Sequence, residues 1–170
     1  VVELTKLPLN VQKQQVSQVA SFKGEYDNAV DNKGRVCFPA KLRKFLTPAA
    51  QERFTILRGL ERCLYLYPED QWSIVEDKLA RVNSFSKKGR TVMRHFLRTA
   101  EDVTLDNQNR IALPSKLKEW SGIDDRAIFI GSGERIEIWS PDNLAAEDEE
   151  MDFESYQELF ESVMTEVDEL

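Results

Sequence analysis

The sequence predicts an α+β, mostly β protein made by duplicating one small module. Three observations carry that reading. The segment Asp31-Asn32-Lys33-Gly34-Arg35-Val36-Cys37-Phe38-Pro39-Ala40-Lys41-Leu42-Arg43 returns as Asp106-Asn107-Gln108-Asn109-Arg110-Ile111-Ala112-Leu113-Pro114-Ser115-Lys116-Leu117-Lys118, at a constant offset of 75 residues. The segment from Thr55 to Pro68 parallels that from Ile128 to Pro141 at an offset of 73. The apolar runs are short, β-rich and separated by turn signals. A repeated unit presents any surface it carries twice. One unit alone would bury little, so the two copies are expected to share one core. The missing two residues fall where copy one has Thr47-Pro48-Ala49-Ala50, a connection in which deletions are tolerated.

Residues 1–21 form a Gln-rich extension whose spacing admits a helix from about Asn10 to Ala20. The first strand is expected around Tyr26 to Val30, followed by the turn Asp31-Asn32-Lys33-Gly34 and the run Val36-Cys37-Phe38. Pro39 suits the first turn of a helix, where its missing N–H costs nothing. Leu42, Phe45 and Leu46 then share one helical face, and Pro48 ends it. Phe54 to Leu57 and Cys63 to Tyr67 read as a hairpin around Gly59-Leu60-Glu61. Copy two repeats the order. Val103 to Leu105 leads into the turn, Ile111 to Leu113 leads to Pro114, and Leu117 and Trp120 lie on a helix capped at Gly122. Ile128 to Ile130 and Ile136 to Trp139 form the second hairpin. Between the copies, Pro68-Glu69-Asp70 opens a helix with Trp72, Val75 and Leu79 on one stripe. After a break near Asn83-Ser84, a basic helix from about Lys87 to Arg98 follows. The domain boundaries are therefore an extension (1–21), repeat one (22–70), a helical linker (71–98), repeat two (99–144) and a tail (145–170).

The net charge of −7 conceals two regions. Residues 145–170 hold eleven acids and no Lys or Arg, which leaves 23 bases against 19 acids in the rest. A mildly basic body with an acidic tail can approach a polyanion only through the body. The tail places Phe153, Tyr156, Leu159, Phe160, Val163, Met164 and Val167 at helical spacing, which predicts an amphipathic helix docked on the body or on another subunit. A sharper alternative makes the tail a nucleic-acid mimic that competes for the basic face. The linker helix reads as a solvated face, with phosphate contact as the alternative.

No apolar run is long enough to span a bilayer, and no N-terminal signal pattern precedes the repeats, so a cytoplasmic location is expected. Cys37 and Cys63 lie in apolar runs and read as buried, reduced thiols. A lone His95 excludes a zinc cluster by spacing, and no cofactor, metal or small-molecule substrate is expected. No paired carboxylates, nucleophile motif or phosphate loop points to an enzyme.

The chemistry is concentrated in the Asp-x-x-x-Arg turns. An Asp that opens a turn accepts backbone N–H groups two or more residues on. Gly34 takes positive φ without strain, and Asn109 is the side-chain-bearing residue most tolerant of it. Arg35 and Arg110 leave the turns at equivalent places. Their planar donor forks match guanine O6 and N7, or a phosphate. Lys33, Lys41, Arg43 and Lys44, with Lys116 and Lys118 in copy two, add positive charge nearby. The candidate DNA-binding residues are Asp31, Lys33, Arg35, Lys41, Arg43, Asp106, Arg110 and Lys116. The plain alternative is that Asp31–Arg35 and Asp106–Arg110 are internal ion pairs that brace the turns.

These residues resemble those of the MraZ family, bacterial regulators of the division and cell-wall gene cluster, and more broadly the SpoVT-AbrB fold. The resemblance rests on Phe22-x-Gly24, on Asp31-x-x-Gly34-Arg35-x-x-x-Pro39 and Asp106-x-x-x-Arg110-x-x-x-Pro114, on Leu66-Tyr67-Pro68 with Trp72, and on Ile138-Trp139. It spans roughly residues 22–144. It implies a swapped-hairpin β-barrel with pseudo-twofold symmetry, formed within one chain and flanked by helices. It further implies homo-oligomeric rings and nucleoid association. The implied partner is double-stranded DNA, as short G-rich direct repeats in the gene's own promoter. The implied action is repression, with Arg35 and Arg110 contacting DNA. A second reading within the same fold is an antitoxin whose acidic C-terminal helix wraps a basic toxin. Two modules per chain distinguish this sequence from the usual single-module antitoxin.

Overall fold

Short apolar runs, buried along their length at the centre, set the sheet. In the computed structural model, which describes residues 21–169, strands β1 (Phe22–Ala29), β3 (Arg53–Arg58) and β4 (Leu64–Pro68) come from copy one. Strands β5 (Glu101–Thr104), β7 (Arg126–Gly133) and β8 (Arg135–Trp139) come from copy two. They form one antiparallel sheet in the order β1-β7-β8-β4-β3-β5. Read from either end, this order is the same once copies are exchanged. Each copy's first strand pairs with the other copy's third strand: Tyr26 lies opposite Phe129, and Phe54 opposite Val103. The copies also meet at the centre, where Tyr65 faces Glu137.

A separate ribbon joins β2 (Arg35–Cys37) to β6 (Arg110–Ala112), with Val36 opposite Ile111 at its midpoint. The sheet is open, with β1 and β5 at its edges, and does not run through the ribbon as one closed ladder. Pro39 and Pro114 lie just beyond the ribbon strands and have no N–H to extend the pairing. The protein is thus α+β with a mostly antiparallel sheet.

The ribbon packs against one sheet face. Val36, Leu42, Phe54, Ile111, Leu117 and Phe129 belong to one buried cluster that takes side chains from both copies. Short helices α1 (Ala40–Arg43) and α4 (Ser115–Trp120) follow the ribbon strands and deliver Leu42 and Leu117 to it. The opposite face carries a second cluster in which Tyr65, Tyr67, Trp72 and Trp139 are buried. It is covered by α2 (Glu69–Leu79), α3 (Lys87–Leu97) and α5 (Pro141–Glu149), with Trp72, Phe96 and Leu144 as their contacts.

Several expectations change. The first strand starts four residues earlier than expected, at Phe22, because it pairs along all of β7. Gly131 and Ser132, which resemble a turn in sequence, are paired residues of β7 opposite Gly24 and Lys23. Cys63 is buried as expected, but Cys37 is exposed. Cys37 follows Val36, and successive strand residues point to opposite faces. The acidic tail is not one helix but two, α5 and α6 (Phe153–Asp168). The latter buries none of its residues, so it is not docked on its own body. The helix considered for Asn10 to Ala20 lies outside the described residues. No described helix is long and apolar enough to cross a membrane.

Candidate nucleic-acid interface

Both turns are built by one carboxylate each, and the two constructions are the same. Asp31 Oδ1 accepts the backbone N–H groups of Lys33 and Arg35, each at 2.9 Å. Its Oδ2 accepts Arg35 Nε at 2.8 Å. Asp106 Oδ1 accepts Gln108 N at 2.8 Å and Arg110 N at 2.9 Å, and its Oδ2 accepts Arg110 Nε at 2.8 Å. The backbone closes each turn with Asp31 N donating to Arg35 O and Asp106 N to Arg110 O, at 2.8 and 2.9 Å.

Positive φ occurs at the matching fourth position, +74° at Gly34 and +57° at Asn109. A β-branched residue there meets the full left-handed penalty. Asn109→Val is expected to lower stability by about 1–2 kcal/mol. Asn109→Gly should leave it within a few tenths, as read by chemical denaturation.

Charge follows from this geometry. The carboxyls of Asp31 and Asp106 titrate below the usual Asp range. The largest cause in each is the backbone N–H of the turn's arginine; desolvation opposes it, and the arginine side chain reinforces it. A depressed carboxylate contributes stability that is fully present above the unfolded pKa and is lost as pH falls through the folded one. The turns should therefore survive mild acid and open only below the ordinary carboxylate range. Carboxyl-carbon NMR titration checks this, and midpoints at or above those of an unstructured Asp would contradict it.

The ribbon brings the turns together. Arg35 and Arg110 point to its outward face, because Val36 and Ile111 fill the inward one at 0% exposure. Arg110 Nη1 lies 4.0 Å from Asp31 Oδ2, so the second arginine reaches the first turn. Neither guanidinium is entombed: the side chains are 31% and 23% exposed. Each spends its Nε on its own Asp, which fixes the plane of the fork. Among the described residues, the Nη groups of Arg35 take no hydrogen-bond partner. At Arg35 the ion pair thus occupies Nε and leaves the Nη groups for another partner, whereas at Arg110 Nη1 also faces Asp31 across the ribbon.

The remaining candidates divide. Lys33 is exposed on the first turn, and its N–H is one of those held by Asp31. Lys41 on α1 and Lys116 on α4 are exposed, and no contact among the described residues ties either to the turns. Arg43 is engaged elsewhere, donating through Nε to Glu52 Oε1 at 2.9 Å. Lys118 reaches the first turn from copy two. Its Cδ is 3.7 Å from where a Cβ on Gly34 would stand, so copy two lends its stem to the first turn. Its Nζ lies 3.9 Å from Asp124, which moderates its charge. The sequence places Lys118 near its own turn; only the inter-copy pairing brings it to the first.

The comparisons with known proteins agree with this duplicated construction. The profile of the family described as "MraZ protein, putative antitoxin-like" matches twice, over residues 21–95 and 96–161. The chain is 44% identical over 119 residues to a protein of Alkaliphilus oremlandii named transcriptional regulator MraZ, covering 70% of this chain and 80% of that one. Proteins of the same name from Clostridium beijerinckii and Syntrophomonas wolfei are 42% and 37% identical. Those matches cover 81% and 84% of this chain and 94% and 96% of theirs. Two profile matches laid end to end, on a sheet whose strand order mirrors itself, mean that the chain belongs to the MraZ family.

Proposed function

We propose that this protein is a transcriptional regulator that binds double-stranded DNA through its two Asp-x-x-x-Arg turns. The observation that carries the reading is the pair of arginines on one outward ribbon face, each with Nε fixed on its own Asp and, among the described residues, no hydrogen bond at its Nη groups. Such a fork suits bidentate contact with guanine or phosphate. Lys33, Lys41 and Lys116 add phosphate contacts around them. Arg43 contributes only when released from Glu52.

The finer parts belong to the same proposal. The target is a set of short G-rich direct repeats in the gene's own promoter. The action is repression of the division and cell-wall cluster, and the site of action is the cytoplasmic nucleoid. The exchange of first strands between copies is the swapped-hairpin arrangement of a pseudo-twofold barrel, in repeats at 22–70 and 99–144 with the helical linker 71–98 between them. Several chains assemble, so that linked turns raise the effective concentration of each at adjacent sites. No catalysis is part of this reading: each turn carboxylate is held ionised beside an arginine and is unsuited to donate a proton.

Footprinting of the purified protein on its own upstream DNA tests the proposal. Protection at spaced repeats is expected, with log K falling by about 0.9 per phosphate contact for each unit of log salt. Protection that is absent, or uniform along any DNA, counts against a sequence-specific regulator.

A further inference from the structure

Thirteen large apolar side chains are exposed among the described residues, and seven of them lie on α6. Phe153, Tyr156, Phe160, Val163 and Val167 follow one another at alternating steps of three and four, the spacing of a helix-packing seam. The helix has sixteen residues, so the stripe runs for about 24 Å. An apolar face this continuous is unusual on the surface of a monomer. Its borders are acidic: α6 carries five acids and no base. Glu154, Glu161 and Asp168 recur at seven-residue steps along one edge.

A surface of opposite charge lies on α3. That helix rests on the body through Phe96, stacked on Trp72 at 6.3 Å between ring centroids, while Gly89 is covered by the preceding turn at Asn83 and Ser86. Arg90, Arg94 and Leu97 are thereby left on an exposed face at positions i, i+4 and i+7. Arg98 follows at the C-cap. Arg90 Nη1 donates to the carbonyls of Ser84 and Phe85 at 3.1 and 2.7 Å, which holds the exposed Phe85 beside this face. The helix itself contains Lys87, Lys88, Arg90 and Arg94 and no acid.

We propose that α6 of one copy packs on the basic face of α3 of a second copy, with its Glu154–Glu161–Asp168 edge along the Arg90–Arg94–Arg98 row. This names the surfaces of the self-assembly put forward above and rests on that part of the reading. Pairing of α6 with another α6 would satisfy the seam but set acids against acids along both borders. Packing on α3 covers apolar side chains on both partners and opposes unlike charges. Donor and acceptor are different surfaces, so the contact closes reciprocally as a twofold dimer or runs head-to-tail into a ring or an open chain.

Sedimentation of the full chain tests this assignment. The samples are wild type, Arg94→Glu/Arg98→Glu, Glu161→Lys/Asp168→Lys, and an equimolar mixture of the two variants, with folding checked by circular dichroism. Wild type is expected to sediment as an oligomer that loosens as salt rises. Each variant should lose that species. The mixture should regain assembly, because unaltered α6 then meets unaltered α3 and the reversed helices complement each other; recovery also shows that both variants are folded. Wild-type size in both variants overturns the proposal, including the case in which reversal on α3 weakens only DNA binding. Wild-type assembly that tightens with salt would point to α6 pairing with α6 and also overturns it. A wild type that stays a single chain removes self-assembly and this interface together, while footprinting decides DNA binding separately.

Discussion

Replacing both Arg35 and Arg110 by alanine should remove sequence discrimination while leaving the protein folded. Each turn keeps its two backbone hydrogen bonds to Asp31 or Asp106 without the arginine side chain. Those backbone contacts also contain the largest cause of each depressed carboxyl pKa, so the carboxylate stays ionised. What is lost is the pair of outward forks. A bidentate arginine–guanine contact is worth about 1–3 kcal/mol of discrimination. Two independent contacts together give roughly 30-fold to 10⁴-fold weaker operator binding. Competition between operator and scrambled DNA in an anisotropy titration reads this ratio directly. The double variant should bind both DNAs alike, with a residual, salt-sensitive affinity from the lysines. Undiminished preference for the operator would remove the turns from the reading surface.

The comparison with Arg→Lys sharpens the point. Lysine keeps the charge but has neither a planar fork nor an Nε to lie along the carboxylate. Arg35→Lys should therefore retain phosphate attraction and lose base preference. A purely electrostatic role for the turns predicts no such separation.

The turns were legible in the sequence because their chemistry is local. Asp31, Gly34 and Arg35, with Asp106, Asn109 and Arg110, specify their own hydrogen bonds within five residues. The second copy supplied an independent check, since Gly34 and Asn109 share a backbone need and no side-chain property. The helices were legible for a similar reason. Trp72, Phe96 and Leu117 lie on apolar faces that periodicity exposes directly. Contacts between copies were not legible. Lys118 reaches Gly34 only because β2 pairs with β6, and nothing in either segment names its partner. Cys37 appeared buried because its neighbours are apolar, but alternation turns it outward while Val36 takes the core. Arg43 appeared to be free positive charge; Glu52, nine residues on, holds it across a loop whose shape the sequence leaves open.

Gly131 shows the same limit with a larger consequence. In sequence, Gly131-Ser132-Gly133 suggests only a hairpin bend. In the fold Gly131 faces Gly24 where β1 crosses from the other copy. A Cβ on Gly131 would overlap the backbone nitrogen of Lys23 and stand 2.6 Å from its Cα and from the carbonyl carbon of Phe22. These are main-chain atoms, and no rotamer change can move them aside. Phe22 is itself 2% exposed and anchors the start of β1 in the shared core. Accommodating a side chain thus requires β1 to peel from β7, which breaks the exchange that joins the two copies. Gly131→Val is expected to destabilise the protein by at least about 3 kcal/mol, beyond the usual cost of a surface strand substitution. Urea denaturation followed by tryptophan fluorescence measures the loss. Amide exchange should rise first along Phe22–Ala29 and its partner strand, well before the β2–β6 ribbon opens. A variant of native stability would mean that the close approach of these two backbones is dispensable, and with it the coupling through which one copy holds the other's edge strand in place.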